Sequence, residues 1–342
     1  MSLAYQTQVG SVTGRLGLLA CAVLTLAGSC LGGQNSAAQD EGTPPPLRIA
    51  RVIEVTDGNT IYMQPIWSPD GTKLAFTRSG FTGLYVRNAD GTGPIEELTS
   101  ADYSGYKPVW TSDSKGIVIR TRTGIVGQSI AIADVETGEI RTLVERAAHP
   151  GQATRNASGD VTVELDGKTM VLDRKTCTLR TTDEYYPPGP APARDISLKI
   201  DFRNNTMRII EGDSLRSTEF PHKVVLASLS PTQDRIAFKL GDGNIYISRL
   251  DGSAMVCVGR GSGWDWSPDG RRLVYLGAYE QDERTITATE LFMVNADGTG
   301  LTQLTHTANQ VEHYPVWSPD GMRIAYSTVN TGKILVGILE GD

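Results

Sequence analysis

Cysteine and histidine are both scarce in this chain, four of each in 342 residues. Cys21 and Cys30 sit near the N-terminus, which leaves Cys177 and Cys257 for any folded part, 80 positions apart. That spacing excludes a disulfide framework and a cysteine zinc site, and the two read as separate core thiols. The histidines, His149, His222, His306 and His313, include no close pair, so a metal site would need them to converge in space. No basic stripe is present and the net charge is -7, which argues against a nucleic-acid partner. No apolar run reaches the roughly 20 residues of a comfortable membrane span. A nucleophile elbow is missing too: Gly127-Gln128-Ser129-Ile130-Ala131 lacks the second glycine and reads as strand. Helical periodicity is absent throughout, which leaves short β-strands.

What is present is a repeat. Pro65-Ile66-Trp67-Ser68-Pro69-Asp70-Gly71 recurs as Trp264-Asp265-Trp266-Ser267-Pro268-Asp269-Gly270 and as Pro315-Val316-Trp317-Ser318-Pro319-Asp320-Gly321. Looser copies are Pro108-Val109-Trp110-Thr111-Ser112-Asp113 and Ser228-Leu229-Ser230-Pro231. Seven residues after each anchor comes an apolar triplet, as in Leu74-Ala75-Phe76, Leu273-Val274-Tyr275 and Ile324-Ala325-Tyr326. A third strand follows, then Asn88-Ala89-Asp90-Gly91-Thr92-Gly93 or Asn295-Ala296-Asp297-Gly298-Thr299-Gly300, then a fourth. Ser-Pro-Asp-Gly suits a type I turn, and Asp-Gly supplies the positive φ that closes a hairpin. Each unit therefore predicts a four-stranded antiparallel blade anchored by Trp67, Trp110, Trp266 or Trp317. The fold class is an all-β propeller.

Neighbouring anchors are separated by 43, 37 and 51 residues, and the gap from Trp110 to Leu229 is 119. Three steps of about 40 fit that gap better than two of about 60. Seven blades are therefore expected, six being the alternative, with degenerate blades near Ala153–Thr182 and Asp195–Pro221. The last repeat lacks a fourth strand, and Leu47–Val55 is expected to complete it and close the ring, removing exposed edges.

Ahead of the propeller, Arg15 and the apolar stretch Leu16–Gly28 fit a secretory signal over residues 1–29. Leu26-Ala27-Gly28-Ser29-Cys30 resembles the lipobox of bacterial lipoproteins, on which Cys30 would be lipidated. Ordinary cleavage after Ser29 or Ala38, and a retained anchor, are the alternatives. Residues 30–46, ending in Pro44-Pro45-Pro46, read as a flexible tether, and residues 47–342 as one propeller domain.

The Trp-Ser-Pro-Asp-Gly turn, the triplet after it and the Asn-Ala-Asp-Gly-Thr-Gly turn together resemble the TolB-like, WD-like propeller repeat. The likeness covers residues 60–144 and 223–340 well and 145–222 weakly. It implies an envelope propeller that serves mainly as a protein-binding platform. TolB's separate N-terminal α/β domain finds no counterpart here, so the resemblance is to the repeat family and not to TolB itself. Similar propellers precede the hydrolase domain of prolyl-peptidase relatives, and no such domain is read here.

The loops entering the first strand of each blade ring one mouth of the channel, and loops on a rigid scaffold commonly carry function. They bring Gln64, Tyr106, Lys107, Trp264, Asp265, Glu312, His313 and Tyr314 forward as binding residues, aromatic groups beside charges being typical of hot spots. Tyr106 and Trp264 have a plainer reading as packing beside the anchor tryptophans. The charged insertion Gly277–Thr289 is a second candidate, or simply a solvated loop. Gly259–Gly263 follows no βαβ unit and reads as a flexible connection into the sixth blade. Asp70, Asp90, Asp269, Asp297 and Asp320 read as turn residues, since none shows the alternating ligands of a calcium loop. The expectation is thus an exported, lipid-tethered monomer that binds an envelope protein, with no catalytic residue, cofactor, metal or nucleic acid. The alternative is a channel-mouth carbohydrate-binding protein or metal-dependent polysaccharide lyase.

Overall fold

The computed structural model describes residues 44–123, 127–147, 150–156, 158–181, 196–201, 206–211, 214–219, 222–282, 285–307 and 310–341. The residues expected to be a signal, Cys30 and most of the residues expected to be a tether lie outside them. Seven antiparallel sheets succeed one another along the chain as the blades of a β-propeller. Blades 1 to 4 open with Tyr62–Trp67, Val109–Trp110, Thr154–Arg155 and Ile196–Asp201. Blades 5 to 7 open with Val224–Leu229, Ser262–Trp266 and Glu312–Trp317. Blade 4 has three strands among the described residues and every other blade has four. The count is seven, and the two degenerate blades, 3 and 4, stand where spacing placed them.

Ring closure is as the sequence implied. Leu47–Glu54 pairs with Ile334–Gly341 on the outer side of blade 7, from Leu47↔Gly341 to Glu54↔Leu335. The anchor tryptophans are all buried, and each packs on the blade before its own. Trp67 lies against Ala325 and Val336 of blade 7, and Trp110 against Ala75 and Val86 of blade 1. Trp266 lies against Ala237 and Ile247 of blade 5, and Trp317 against Val274 and Met293 of blade 6. Two indoles also reach backward: Trp67 Nε1 donates to Val316 O and Trp110 Nε1 to Ile66 O, both at 3.2 Å. The Arg323 guanidinium covers the Trp67 ring at 4.5 Å and donates to Gly71 O at 3.0 Å, so the first-to-last joint is held from both chain ends.

The Ser-Pro-Asp-Gly turn explains its own repetition. Ser68 Oγ donates to Asp70 Oδ1 at 2.6 Å and accepts from Lys73 N at 2.9 Å, while Gly71 N bonds Ser68 O at 2.9 Å. The glycine is left-handed in all three full copies, at φ 70°, 68° and 69° for Gly71, Gly270 and Gly321. These aspartates are thus consumed within their turns. Asp90 and Asp297 are likewise held, each accepting from the backbone and hydroxyl of Thr92 or Thr299.

The looser copies place Ser114 (φ 59°) and Gln233 (φ 55°) at the same position. A side chain there costs about 1–2 kcal/mol relative to glycine. Ser114 recovers part of this, since its Oγ accepts from Asp70 N at 3.0 Å. Gln233 does not: its Oε1 is buried without a partner. Gln233→Gly should therefore stabilise the domain by about 1 kcal/mol. Ser114→Gly should be close to neutral. Urea unfolding of the two variants tests this, and a less stable Gln233→Gly would contradict it.

Two expectations are corrected. Gly259–Gly263 is not a flexible connection: Val256–Arg260 and Ser262–Trp266 are strands separated by Gly261 alone. A side chain on Gly261 would meet Leu276 O at 2.5 Å, so the joint is tight. Gly277–Thr289 is not a loop either, because Arg272–Asp282 and Thr285–Asn295 continue as one long hairpin through it. Cys177 is a free, half-buried thiol.

Candidate functional site

First strands begin at one end of the ring, and those of blades 6, 7 and 1 are neighbours around the channel. Three residues before each anchor tryptophan the backbone turns left-handed: Gln64 at φ 53°, Lys107 at 50°, Gly263 at 53° and Tyr314 at 55°. In blades 1, 6 and 7 the ladder breaks there, between Met63 and Ile66, Ser262 and Asp265, and His313 and Val316. These are bulges, which re-aim a side chain and often stand beside functional sites. Only blade 6 uses glycine. Gln64, Lys107 and Tyr314 adopt a conformation that costs a non-glycine residue, and each precedes a proline, which ordinarily favours an extended backbone. Local sequence does not explain that choice, and it recurs around the mouth.

Beside blade 2 the loop into the first strand folds over the loop of blade 1. Tyr106 meets Phe81 edge-on at 5.0 Å and Tyr103 at 5.9 Å. Arg120 covers the Tyr106 ring at 5.1 Å and Arg122 the Tyr103 ring at 5.4 Å. Lys107 lies 5.9 Å from the Tyr106 centroid, and its Nζ donates to Gln152 Oε1 at 3.1 Å. Phe81 and Tyr103 are also left-handed, at φ 61° and 68°. Tyr106 and Lys107 were expected here; Phe81, Arg120 and Arg122 were not. The signal for the arginines was strand alternation beyond Ile117–Ile119, which puts residues 120 and 122 on one face.

Between blades 5 and 6, Trp264 Nε1 donates to Ser228 Oγ at 2.8 Å. Leu226, Leu229, Pro231, Trp264 and Asp265 line a cavity of about 260 Å³ there. Half-buried Asp265 accepts from Trp317 N at 2.8 Å, tying blade 6 to blade 7. Burial pushes its carboxyl up to about 6 against the opposing effect of the Trp317 and Trp266 amides.

Glu312 requires a correction, for it is fully buried and cannot meet a partner. Its Oε2 accepts from Thr305 Oγ1 at 2.7 Å, and its Oε1 lies 3.1 Å from Thr307 Oγ1. Thr307 Oγ1 is also 3.4 Å from Oε2 of buried Glu290, whose Oε1 accepts from Thr307 N at 2.8 Å. One hydroxyl proton faces two carboxyl groups. Burial first, and then the Glu290 charge, raise the Glu312 carboxyl to about 7 against its threonine bonds. His313 and Tyr314 meet edge-on at 5.3 Å, and burial lowers the imidazole's proton affinity.

His222 and His306 are exposed, and His149 lies outside the described residues. Among the described residues no group of three or more His, Cys, Asp or Glu is placed to hold a metal ion. Nor is any helix among them long and apolar enough to cross a membrane. Ser129 is a half-buried residue within the strand Gly127–Asp134.

Fold and site together define a seven-bladed β-propeller whose mouth carries the variable side chains. No family model matches the chain. It is similar to dipeptidyl-peptidase 5 of Porphyromonas endodontalis, 38% identical over 96 residues, which is 27% of this chain and 13% of that protein. The same enzyme of Porphyromonas gingivalis is 38% identical over 68 residues, 20% of this chain and 10% of its own length. The matched stretches thus span about an eighth or less of these relatives. Among solved structures, an oligogalacturonate lyase from Vibrio parahaemolyticus superposes with a TM-score of 0.56 at 13% identity, over 84% of this chain and 93% of that one. The Cps50 (Swd1) propeller domain of Myceliophteria thermophila gives 0.56 at 12% identity, over 84% and 99%. TolB from Acinetobacter baumannii is similar at 0.45 and 16% identity, over 77% and 59%. At such identities the likeness to the solved structures is one of fold.

Proposed function

We propose that this chain is a non-catalytic recognition module of the bacterial cell envelope. Residues 1–29 direct export, Cys30 carries the lipid, residues 30–46 are the tether, and the monomeric propeller binds an envelope protein at its mouth without a cofactor. The observation that carries the reading is the left-handed backbone repeated three residues before the anchor tryptophans. Gln64, Lys107 and Tyr314 occupy equivalent positions, differ in chemistry, and hold a backbone that glycine would adopt at lower cost. A scaffold under selection for stability alone would use glycine there, as blade 6 does; strain kept at a mouth points to recognition.

The test is cross-linking in the native envelope and capture of the tagged chain, wild type against the combined Gln64→Gly, Lys107→Gly and Tyr314→Gly variant. Relief of strain should leave the melting temperature unchanged or a few degrees higher, roughly 2–4 °C per kcal/mol gained. Capture of the partner should fall at least about tenfold. A partner recovered equally by both proteins would overturn the assignment of the mouth. No partner, together with binding of a divalent metal or an acidic glycan, would favour the polysaccharide-lyase alternative.

A further inference from the structure

The mouth of blade 2 holds a cluster that the bulges do not require. Arg120 and Arg122 alternate along the strand Gly116–Thr123, so their side chains leave the same face about 6.6 Å apart. Each guanidinium lies over a tyrosine ring, which fixes its plane and limits the freedom lost when it binds. Lys107 adds a third cation beside Tyr106. Among the described residues none of the three has an ion pair. Arg120 has a bond of 3.4 Å to Pro150 O, and the strand meets Asp102 through that residue's carbonyl, which accepts from Arg122 N at 3.2 Å. A concentration of unpaired cations on a chain of net charge -7 is a local reversal of sign. Phe81, Tyr103 and Lys107 around the cluster all have left-handed backbones.

We propose that this cluster is a carboxylate-binding site that takes an extended acidic segment of a protein partner. Two acidic side chains at alternate positions of an extended peptide repeat at the same spacing as Arg120 and Arg122, and each planar fork matches one carboxylate. Lys107, on the channel side, would take a third. A polyuronate offers the same carboxylates. However, sugar rings bind by stacking on open aromatic faces, and here one face of each tyrosine is covered by a guanidinium while Phe81 meets Tyr106 edge-on. The site deepens the recognition reading and rests on it.

Fluorescence anisotropy of the full chain with a labelled peptide of alternating Glu and Ser tests the site, against the same peptide with Gln for Glu and against oligogalacturonate. The acidic peptide should bind, weaken as salt rises, and lose affinity about tenfold or more with Arg120→Gln/Arg122→Gln. Arg122→Gln alone, an exposed position with little structural cost, should lose several-fold, and Arg122→Lys should recover only part of it. Equal binding of the Gln peptide, unchanged affinity in the double variant, or an arginine-dependent preference for oligogalacturonate would each overturn the proposal. In the envelope cross-linking experiment the two readings separate. A partner captured as well by the double variant sinks this site and leaves the platform. No partner, with peptide binding intact, sinks the platform and leaves the site.

Discussion

Removing residues 44–55 should abolish the cooperative unfolding of this domain or lower its melting temperature by more than about 10 °C. The segment is the fourth strand of blade 7, and its side chains serve two cores at once. Leu47 and Ile49 pack with Trp317, Leu335 and Leu339, whereas Ile53 and Val55 pack with Trp67, Ile334 and Val336. Long-range bonds end on it as well. Arg87 Nη1 reaches Val55 O at 2.5 Å, Arg272 Nη2 reaches Pro45 O at 2.6 Å, and Lys333 pairs with Glu54 at 2.7 Å. Burial of four aliphatic side chains is worth roughly 1.5–3 kcal/mol each, so their loss is comparable with the whole stability of a typical domain, about 5–15 kcal/mol. The truncation also bares the edge Ile334–Gly341, a template for pairing with other chains. Size-exclusion chromatography should therefore find soluble aggregates, and a peptide of residues 44–56 added in trans should restore the monomer. A truncated chain that melts as the intact one does would mean that the ring holds without this strand.

The ring was legible because its turns are chemical. Ser-Pro-Asp-Gly uses each residue for a bond or a dihedral, so copies stay recognisable wherever the turn is kept. Blade 3 shows what happens otherwise: Arg155 stands where a tryptophan would, and its Nη2 donates to Trp110 O at 2.7 Å, a different means to the same inter-blade joint. Spacing alone revealed that blade. The mouth was legible only as a region. Nothing in Gln64, Lys107 or Tyr314 encodes a positive φ; the one hint was that blade 6 has Gly263 at the equivalent position. The Arg120–Tyr106 and Arg122–Tyr103 stacks depend on a loop returning across the second strand, and tandem motifs do not report such a return. Glu312 misled for a related reason. Beside His313 and Tyr314 it looked like a rim residue, but its surroundings come from the preceding blade: Glu290 on the third strand, and Thr305 and Thr307 near the fourth.

Replacing Glu312 separates two consequences of that buried carboxyl. Its proton affinity is raised to about 7 from an ordinary value near 4.5, so between those values the folded state holds a proton that the unfolded state has released. Stability from this group is complete below about pH 4.5, declines as pH rises, and is level again above about pH 7. The loss is roughly 3 kcal/mol at most. Asp265 acts in the same sense but only up to its own value of about 6. His313, held below its ordinary value, acts in the opposite sense at lower pH, where it gains a proton more readily unfolded than folded. The interval from about pH 6.5 to 7.5 therefore belongs mainly to Glu312. Glu312→Gln keeps the shape, supplies an N–H to Thr307 Oγ1 and an acceptor to Thr305 Oγ1, and cannot ionise. The variant should match the wild type near pH 5, exceed it by about 2 kcal/mol at pH 8, and be nearly level above about pH 6.5, where Asp265 and His313 have finished titrating. Glu312→Ala should instead cost about 2–4 kcal/mol near pH 5, because it leaves a cavity and the Thr305 hydroxyl without its acceptor, and less at pH 8, where the wild type has lost its own share. Urea midpoints at half-unit intervals from pH 5 to 8 distinguish these outcomes. A wild-type slope that survives intact in Glu312→Gln would assign the proton elsewhere, and Glu290, sharing Thr307 with it, would be the group to change next.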